Sequence, residues 1–309
     1  MSDALSRTLI VLAGPTASGK TALGIYLAKQ LGAEILSADS RQCFKELNIG
    51  VARPSLEELA EVPHHFIASH SIHDTVNAGV YEQYGLKVLE GLFQKSPIAL
   101  AVGGTGLYIK ALTEGIDPMP TIPEEIRNRI DLDYQQQGLG WLQQQVASED
   151  PLFWQSAEQL NPRRLMRALE FIRATGTSIT TYQKNQKQTR DFNMINIAIE
   201  MPRPLLYDRI NQRVEIMIKE GLEAEVRALY PLKDLNALQT VGYREWYPYF
   251  EGLQDLSQVT AEIQKNTRHY AKRQMTWFKK QEDFLWFSAS DRENILSCIK
   301  SNLNGSYPV

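Results

Sequence analysis

The sequence contains very little cysteine and no long apolar segment. Cys43 and Cys298 are the only cysteines among 309 residues, which is too few for a disulfide framework or a cysteine-based zinc cluster. No apolar run reaches about 18 residues, so we expect no membrane-spanning helix. Residues 1–7 lack the apolar segment of a secretory signal peptide. These absences predict a protein of the reducing cytoplasm.

An excess of basic charge is also missing. The formal net charge is −3 at pH 7, so the chain as a whole is no polycation, and any nucleic-acid site must be local. The hydrophobic and charged fractions, 43% and 22%, are those of an ordinary globular protein. We therefore look for function in local motifs.

One glycine-rich segment has the context that phosphate binding requires. An apolar run at residues 8–13 precedes it, and leucines at helical spacing follow it at residues 23, 27 and 31. A strand, a glycine loop and a helix form a P-loop, in which backbone N–H groups, the helix N-terminus and a lysine bind phosphate. The predicted site for a di- or triphosphate consists of Gly14, Pro15, Thr16, Ala17, Ser18, Gly19, Lys20 and Thr21. The Thr21 hydroxyl is the expected ligand for Mg²⁺.

Polar residues follow the next predicted strand, at residues 33–38. Ligands of open α/β sheets bind just beyond the carboxyl ends of the strands, and Asp39, Ser40, Arg41 and Gln42 lie there. Asp39 fits a general base or a carboxylate linked to Mg²⁺. Alternatively, Asp39 or Ser40 only caps a turn or helix.

The strand predicted at residues 97–102 ends without an acidic residue. P-loop ATPases usually carry a carboxylate at the end of a neighbouring strand, whereas Gly103, Gly104 and Thr105 follow here. This absence points away from a motor or a hydrolytic switch.

Four of the five histidines lie within ten residues, at positions 64, 65, 70 and 73. A metal site is one interpretation. However, no cysteine accompanies them and their spacing matches no zinc pattern, so a loop beside the phosphate site is the alternative.

The predicted fold class is α/β, with a P-loop parallel sheet core flanked by helices and an all-helical insertion domain. The core would comprise residues 1–114 and 191–309, and the insertion residues 115–190. Within the insertion, a helix starting at Asn161-Pro162 bears arginines at 163, 164, 167 and 173. The first three share a face, which indicates either phosphate binding or a solvated surface.

Together with the P-loop, three further segments resemble the tRNA isopentenyltransferase family. They are Asp39-Ser40-Arg41-Gln42, Gly103-Gly104-Thr105-Gly106-Leu107-Tyr108 and Ala271-Lys272-Arg273-Gln274-Met275-Thr276-Trp277. The resemblance extends over about residues 8–287. It implies that the P-loop holds dimethylallyl diphosphate with Mg²⁺, while the N6 amine of the adenosine 3′ to the anticodon attacks the allylic carbon.

The same resemblance implies the roles of individual residues. Asp39 would accept the amine proton, Thr105 would lie near the reacting centre, and Arg213 would bind the leaving diphosphate. The insertion would bind the tRNA anticodon stem-loop while the target base is flipped into the core. The implied tRNA contacts are Asp39, Ser40, Arg41, Gln42, Thr105, Arg127, Arg163, Arg164, Leu165, Met166, Arg167, Gln239, Thr240, Val241, Gly242, Tyr243 and Arg244. We expect a monomer.

Three alternatives remain open. An adenylate isopentenyltransferase would prenylate free AMP, ADP or ATP, although a free nucleotide needs no insertion of about 75 residues. A P-loop kinase for a small metabolite could use Asp39 as its base, but the Gly-Gly-Thr-Gly loop argues against it. A non-enzymatic RNA-binding protein is disfavoured by the intact Lys20, Thr21 and Asp39.

Overall fold

The computed structural model describes residues 7–184 and 186–303. Two compact units are present among them. The described residues within 115–188 form one, which we call the insertion unit, and the other described residues form the second, the core unit.

A parallel sheet lies at the centre of the core unit. Its six strands are arranged in the order β3-β2-β4-β1-β5-β6, and every pairing between neighbours is parallel. The strands are β1 Thr8–Ala13, β2 Ile35–Ala38, β3 His64–His65, β4 Ile98–Gly103, β5 Asn193–Glu200 and β6 Leu285–Ser288.

Helices make up most of the remaining chain. In the described residues they are α1 Lys20–Leu31, α2 Leu56–Glu61, α3 Ala78–Phe93, α4 Gly106–Glu114, α5 Glu124–Glu149, α6 Pro151–Trp154, α7 Pro162–Thr175, α8 Arg203–Lys219, α9 Leu222–Leu229, α10 Tyr247–Phe250, α11 Leu256–Phe278 and α12 Arg292–Leu303. Short 3₁₀ helices span Ile179–Thr181, Tyr230–Leu232, Asn236–Leu238 and Arg244–Trp246. No helix in the described ranges is long and apolar enough to cross a membrane.

Strand β1 is buried along its whole length because helices cover both faces of the sheet. Successive side chains of a strand point to opposite faces. Leu9 and Val11 pack in the cluster that contains α3 and α4 side chains, whereas Ile10 and Leu12 pack in the cluster of α1 and α12. An uninterrupted apolar run is the sequence pattern of such a doubly covered parallel strand, and the α/β prediction is confirmed.

Two of the four clustered histidines, His64 and His65, form the short strand β3. His64 and His65 pair with Ile35 and Leu36 at the edge of the sheet, and the His65 ring contacts the Glu34 carboxylate at 2.7 Å. The described residues contain no group of three or more His, Cys, Asp or Glu that could hold a metal ion. Two residues are too few for a periodicity signal, so the sequence analysis did not find β3.

In the sequence of helix α3, Val80, Tyr84, Val88 and Leu92 have the spacing of one apolar side. The fully buried positions are Tyr81, Gly85, Leu89 and Leu92. Leu92 belongs to both sets, whereas the other three buried positions each lie one residue, or about 100° around the helix, after Val80, Tyr84 and Val88. An apolar pattern does not mark Gly85 as buried because glycine has no side chain. Leu112 of α4 packs against it, 2.8 Å from where a Cβ would lie.

The insertion unit has a small core of its own. Ile130, Leu142 and Val146 of α5 pack with Leu165 and Leu169 of α7, and α5 is kinked at Gly138, whose φ of 75° is not helical. The side chain of Asn161 caps α7 by accepting the Arg164 N–H, at the helix start that the sequence predicted. The described residues of this unit contain helices and no strand.

Candidate active site

Three loops meet at the carboxyl edge of the sheet. Strand β4 lies between β1 and β2, and Gly103 is in register with Ala13 on one side and Ala38 on the other. The P-loop, the segment after Ala38 and the loop after Gly103 are therefore neighbours. The Thr105 N–H donates to the Ala38 carbonyl at 3.1 Å, which joins the second and third of these loops.

The P-loop has the backbone that its glycines predict. Gly19 is the N-cap of α1 with a φ of 91°, a left-handed conformation that glycine adopts without steric cost. One detail differs from the expectation that successive N–H groups point inward. The Thr16 N–H donates instead to the side chain of Gln274 at 2.8 Å, so this donor is not available to a phosphate.

Lys20 lies at the start of α1, where its ammonium donates to the Pro15 carbonyl at 2.5 Å. The pKa of Lys20 is lowered to about 7, mainly by desolvation. Asp39 raises this pKa, and Arg213 contributes to the lowering. A bound anion would reverse this shift because it favours the charged form. The Thr21 hydroxyl makes no hydrogen bond within the described residues and is free to accept a ligand.

Asp39 is held in one orientation by its own backbone. Its Oδ1 accepts the N–H groups of Arg41 and Gln42 at 2.8 and 3.2 Å, which is a turn cap of the kind foreseen. Its Oδ2 makes no hydrogen bond in the part of the chain that the structure describes. The Thr105 hydroxyl accepts the Ser40 N–H at 3.1 Å. Asp39 thus caps the turn through Oδ1 and leaves Oδ2 unbonded, while the neighbouring residue Ser40 contacts Thr105.

Two arginines of α8 lie near the P-loop. A terminal nitrogen of Arg209 is 3.7 Å from the position that a Cβ on Gly19 would take. Desolvation lowers the pKa of Arg213, while Asp39 and Glu58 raise it. A cavity of about 840 Å³ adjoins Arg213, and most of its lining is apolar, including Ile67 and Met217.

Helix α11 contributes two side chains that the sequence analysis did not assign. Gln274 bridges Thr16 and the Gly104 carbonyl. Tyr270, one turn earlier, interacts with Thr105, and desolvation together with Asp39 raises the pKa of its phenol to about 12. The segment from Ala271 to Trp277 contains Gln274 and begins directly after Tyr270, but nothing in it indicates which side chains reach the site.

Comparison with known proteins identifies the family. The family model described as IPP transferase matches residues 42–281. The chain belongs to the IPP transferase family. A tRNA dimethylallyltransferase of Christiangramia forsetii is 45% identical over 301 residues, covering 97% of this chain and 100% of that relative. One from Flavobacterium psychrophilum is 45% identical over 302 residues, covering 96% and 98%.

A solved structure agrees with the sequence match. The full-length tRNA isopentenylpyrophosphate transferase of Bacillus halodurans is 31% identical with a TM-score of 0.72. The match covers 97% of this chain and 98% of that one. The likeness therefore extends over both units of this IPP transferase.

Residues 239–244, the core-unit segment near the C-terminal end of the expected tRNA contacts, are only partly accessible in this IPP transferase. Gln239 and Arg244 are exposed. Gly242 and Tyr243 are buried, and the Tyr243 hydroxyl donates to Glu225 at 2.5 Å. Thr240 and Val241 are half-buried. Gln239 and Arg244 are thus the side chains in this segment best placed to meet a ligand.

The side chains of Arg41 and Gln42 make contacts inside the core unit. The guanidinium of Arg41 donates to the Asn236 carbonyl at 3.2 Å, and the Gln42 amide donates to the Ala52 carbonyl at 2.9 Å. These bonds hold the segment after β2 in place, and a substrate contact through the Gln42 amide would have to replace one of them.

The arginines of the insertion unit have more acidic partners than the sequence suggested. Glu170 is the only acid within α7 itself, but Arg164 also lies 3.4 Å from Glu158, and Arg173 contacts Glu149. Glu170 itself lies near both Arg167 and Arg127, at 3.4 and 3.7 Å.

Only part of the predicted arginine helix is open to a ligand. Arg163 is exposed and forms no ion pair among the described residues. Leu165 is fully buried in the core of the insertion unit, and Met166 packs against that core. Their side chains support the helix, whereas the neighbouring arginines face outward.

Proposed function

We propose that this protein transfers a dimethylallyl group from dimethylallyl diphosphate to the N6 amine of the adenosine 3′-adjacent to the anticodon of tRNA, position 37. A bond forms between N6 and the allylic carbon, the carbon–oxygen bond to diphosphate breaks, and the amine loses a proton. The observation that carries the proposal is the unbonded Oδ2 of Asp39 at the sheet edge that also holds the P-loop and Thr105, whose hydroxyl accepts the neighbouring Ser40 N–H. Family membership and the names of the relatives support it.

The leaving group would be bound by the P-loop. Departure of the allyl group leaves negative charge on diphosphate, and cations already in position stabilise that charge without reorganisation. Lys20 and Arg213 have no acidic ion-pair partner in the described ranges, and desolvation lowers the pKa of each. A bound anion would therefore stabilise the charged form of both side chains.

The acceptor would be activated by Asp39. The exocyclic amine of adenine is a weak nucleophile, so a carboxylate that removes its proton assists the attack. Because Oδ1 is occupied by two backbone N–H groups, Oδ2 is the atom that would take the proton. Thr105 would lie beside the reacting carbon and nitrogen.

Magnesium fits the P-loop end of this site. The described residues hold no cluster of three or more His, Cys, Asp or Glu, so the protein itself offers no complete metal cage. Mg²⁺ commonly takes one or two protein ligands together with substrate phosphates and water. The unbonded hydroxyl of Thr21 would be its protein ligand, and bound Mg²⁺ would neutralise diphosphate charge.

The insertion unit would bind the anticodon stem-loop. Sequence-specific RNA recognition commonly targets loops whose bases can be unstacked, and flipping a loop base costs less than flipping a paired one. Arg163, Arg164 and Arg167 supply the positive face, and Gln239 with Arg244 a second contact. We also propose that the enzyme works as a monomer in the cytoplasm, which size-exclusion chromatography and cell fractionation would test.

A transfer assay with labelled dimethylallyl diphosphate and Mg²⁺ tests the proposal. The acceptors are an unmodified tRNA with adenosines after the anticodon, the same tRNA with position 37 changed to guanosine, AMP and ATP. We expect label in the first tRNA alone. Label in AMP or ATP would assign the protein to the adenylate isopentenyltransferases, and consumption of ATP without prenyl transfer would indicate a kinase.

A further inference from the structure

Helix α11 places one buried glutamine between two loops of the active site. Gln274 is only 6% exposed. Its side-chain oxygen accepts the Thr16 N–H at 2.8 Å, and its side-chain nitrogen donates to the Gly104 carbonyl at 2.9 Å. Both ends of the amide are therefore used, and an apolar replacement would leave two protein groups unpaired.

The contact leaves no space between the three segments. A Cβ on Gly104 would lie 2.2 Å from the Gln274 nitrogen and 3.0 Å from the carbonyl oxygen of Gly14. The loop after β4 therefore packs directly against the P-loop backbone and against Gln274. At this point the side chain of Gln274 spans both loops.

That separation matters for the proposed transfer. The P-loop would hold the donor, and Thr105, next to Gly104, would lie at the acceptor. Displacement requires the reacting atoms to approach to about 3–3.5 Å, and a misplacement of about 1 Å can cost about 100-fold in rate. A change in the spacing of these loops would move the donor relative to the acceptor without removing a substrate contact.

We propose that Gln274 is a positioning residue that sets the distance between the donor loop and the acceptor loop. This inference rests on the proposed function. Gln274 acts through Thr16 and Gly104 and touches neither substrate. It also couples ligand binding at the P-loop to the loop after β4. When an anion orders the P-loop, the hydrogen bond from the Thr16 N–H to Gln274 extends that order to the loop after β4.

Amide hydrogen exchange tests the coupling without any transfer reaction. The probe is inorganic diphosphate with Mg²⁺, added to the wild type, to Gln274→Met and to Gln274→Asn, whose shorter side chain cannot span both loops. The control is Gln264→Met, because Gln264 lies on the same helix and donates one hydrogen bond, to the Asn211 carbonyl at 3.4 Å. In the wild type and the control, diphosphate should slow exchange both in the P-loop and at residues 104–107.

In both Gln274 variants, protection of the P-loop should persist while protection of residues 104–107 is lost. Undiminished protection of residues 104–107 in both variants would overturn the proposal, and so would its absence in the wild type. Loss of P-loop protection in both variants would show instead that Gln274 only maintains the P-loop.

Kinetics provide the second readout. For Gln274→Met we expect kcat to fall about 100-fold while the KM for the donor changes less than about threefold. If kcat fell as much in Gln264→Met as in Gln274→Met, Gln274 would only stabilise the packing of α11, and the proposal would be overturned. Normal exchange coupling in a wild type that transfers nothing would refute the proposed function alone, whereas normal transfer without coupling would refute only this inference.

Discussion

The cations of the core unit and those of the insertion unit are treated differently by their surroundings. Around the P-loop, Lys20 and Arg213 have lowered pKa values because they are desolvated, and neither has an acidic ion-pair partner in the described chain. In the insertion unit, Arg164, Arg167 and Arg173 each contact a glutamate. Similar residue types thus occupy two electrostatic environments.

The difference indicates two kinds of binding. Desolvated charge without an ion-pair partner is costly to maintain, so the P-loop site suits an anionic ligand that contacts these cations directly. Exposed arginines with nearby acids stay solvated, and such pairs contribute about 0–1 kcal/mol each. They suit a surface that binds a polyanion through many weak contacts, which salt screens.

The largest expected effect is that of Asp39→Asn, which tests whether the core site is a reaction centre or only an anion site. The amide keeps an oxygen that can accept the Arg41 and Gln42 N–H groups, so the turn should survive while the base is lost. We expect the single-turnover rate of prenyl transfer to fall about 1,000-fold, within the range of general-base contributions. Affinities for diphosphate and for tRNA should change less than about threefold.

Asp39→Ala is the matched comparison because it removes both the base and the turn cap. If the turn were the only role of Asp39, the Asn variant would retain nearly wild-type rates and only the Ala variant would fail. Circular dichroism melts of both variants would separate a turn defect from a chemical one.

The second effect concerns the pKa of Lys20. In the free protein this pKa is about 7, and a bound diphosphate would raise it. Below pH 7 the lysine is already protonated and binding needs no extra proton. Above pH 7 binding must take up a proton, so affinity should fall by up to about tenfold per pH unit. Calorimetry in buffers of different ionisation enthalpy would measure the proton uptake.

Lys20→Arg supplies the control, since arginine remains protonated throughout this range. Diphosphate itself also titrates, and that contribution is common to both proteins. The pH dependence of affinity should therefore be shallower for the variant by the amount due to Lys20. Identical profiles for the two proteins would mean that Lys20 is charged before the ligand arrives.

Much of the core could be predicted from the sequence because its signals are local. The apolar run of β1, the glycines of the P-loop and the Asn161 cap each require only neighbouring residues. Strand β3 could not be predicted, since two residues show no periodicity and pair only because β2 lies beside them. Helix α12 was not predicted either, although Ile295 and Ile299 pack in the cluster on one face of the sheet.

The sequence indicates candidate site residues where a motif is contiguous, but it does not indicate those that reach the candidate site through distant contacts. Asp39 follows a strand, which indicates its place at the sheet edge. Gln274 reaches Thr16 from 258 residues away, and no pattern near Gln274 indicates that bond. For the same reason Arg173 was grouped with its neighbours on α7, because its partner Glu149 lies on another helix.

The smallest effects should come from the insertion unit, where they sharpen the contrast between paired and unpaired arginines. Arg163 has no acidic partner in the described residues, so Arg163→Gln should weaken binding of an anticodon stem-loop and lower the slope of log affinity against log salt by about one unit. Glu158→Gln should act in the opposite direction, strengthening binding about two- to threefold at low salt, because it releases Arg164. Fluorescence anisotropy at several salt concentrations measures both.

Arg227→Gln is the control for these two variants, since Arg227 is an exposed arginine of the core unit already paired with Glu223 at 2.7 Å. Its salt slope should equal that of the wild type. If Arg163→Gln behaved like Arg227→Gln, the arginine face of α7 would be only solvated surface. Tighter binding of the stem-loop after Glu158→Gln would show that the acids of the insertion unit limit its affinity for RNA. A low affinity would then result from the pairing of arginines with acids and not from a shortage of arginine.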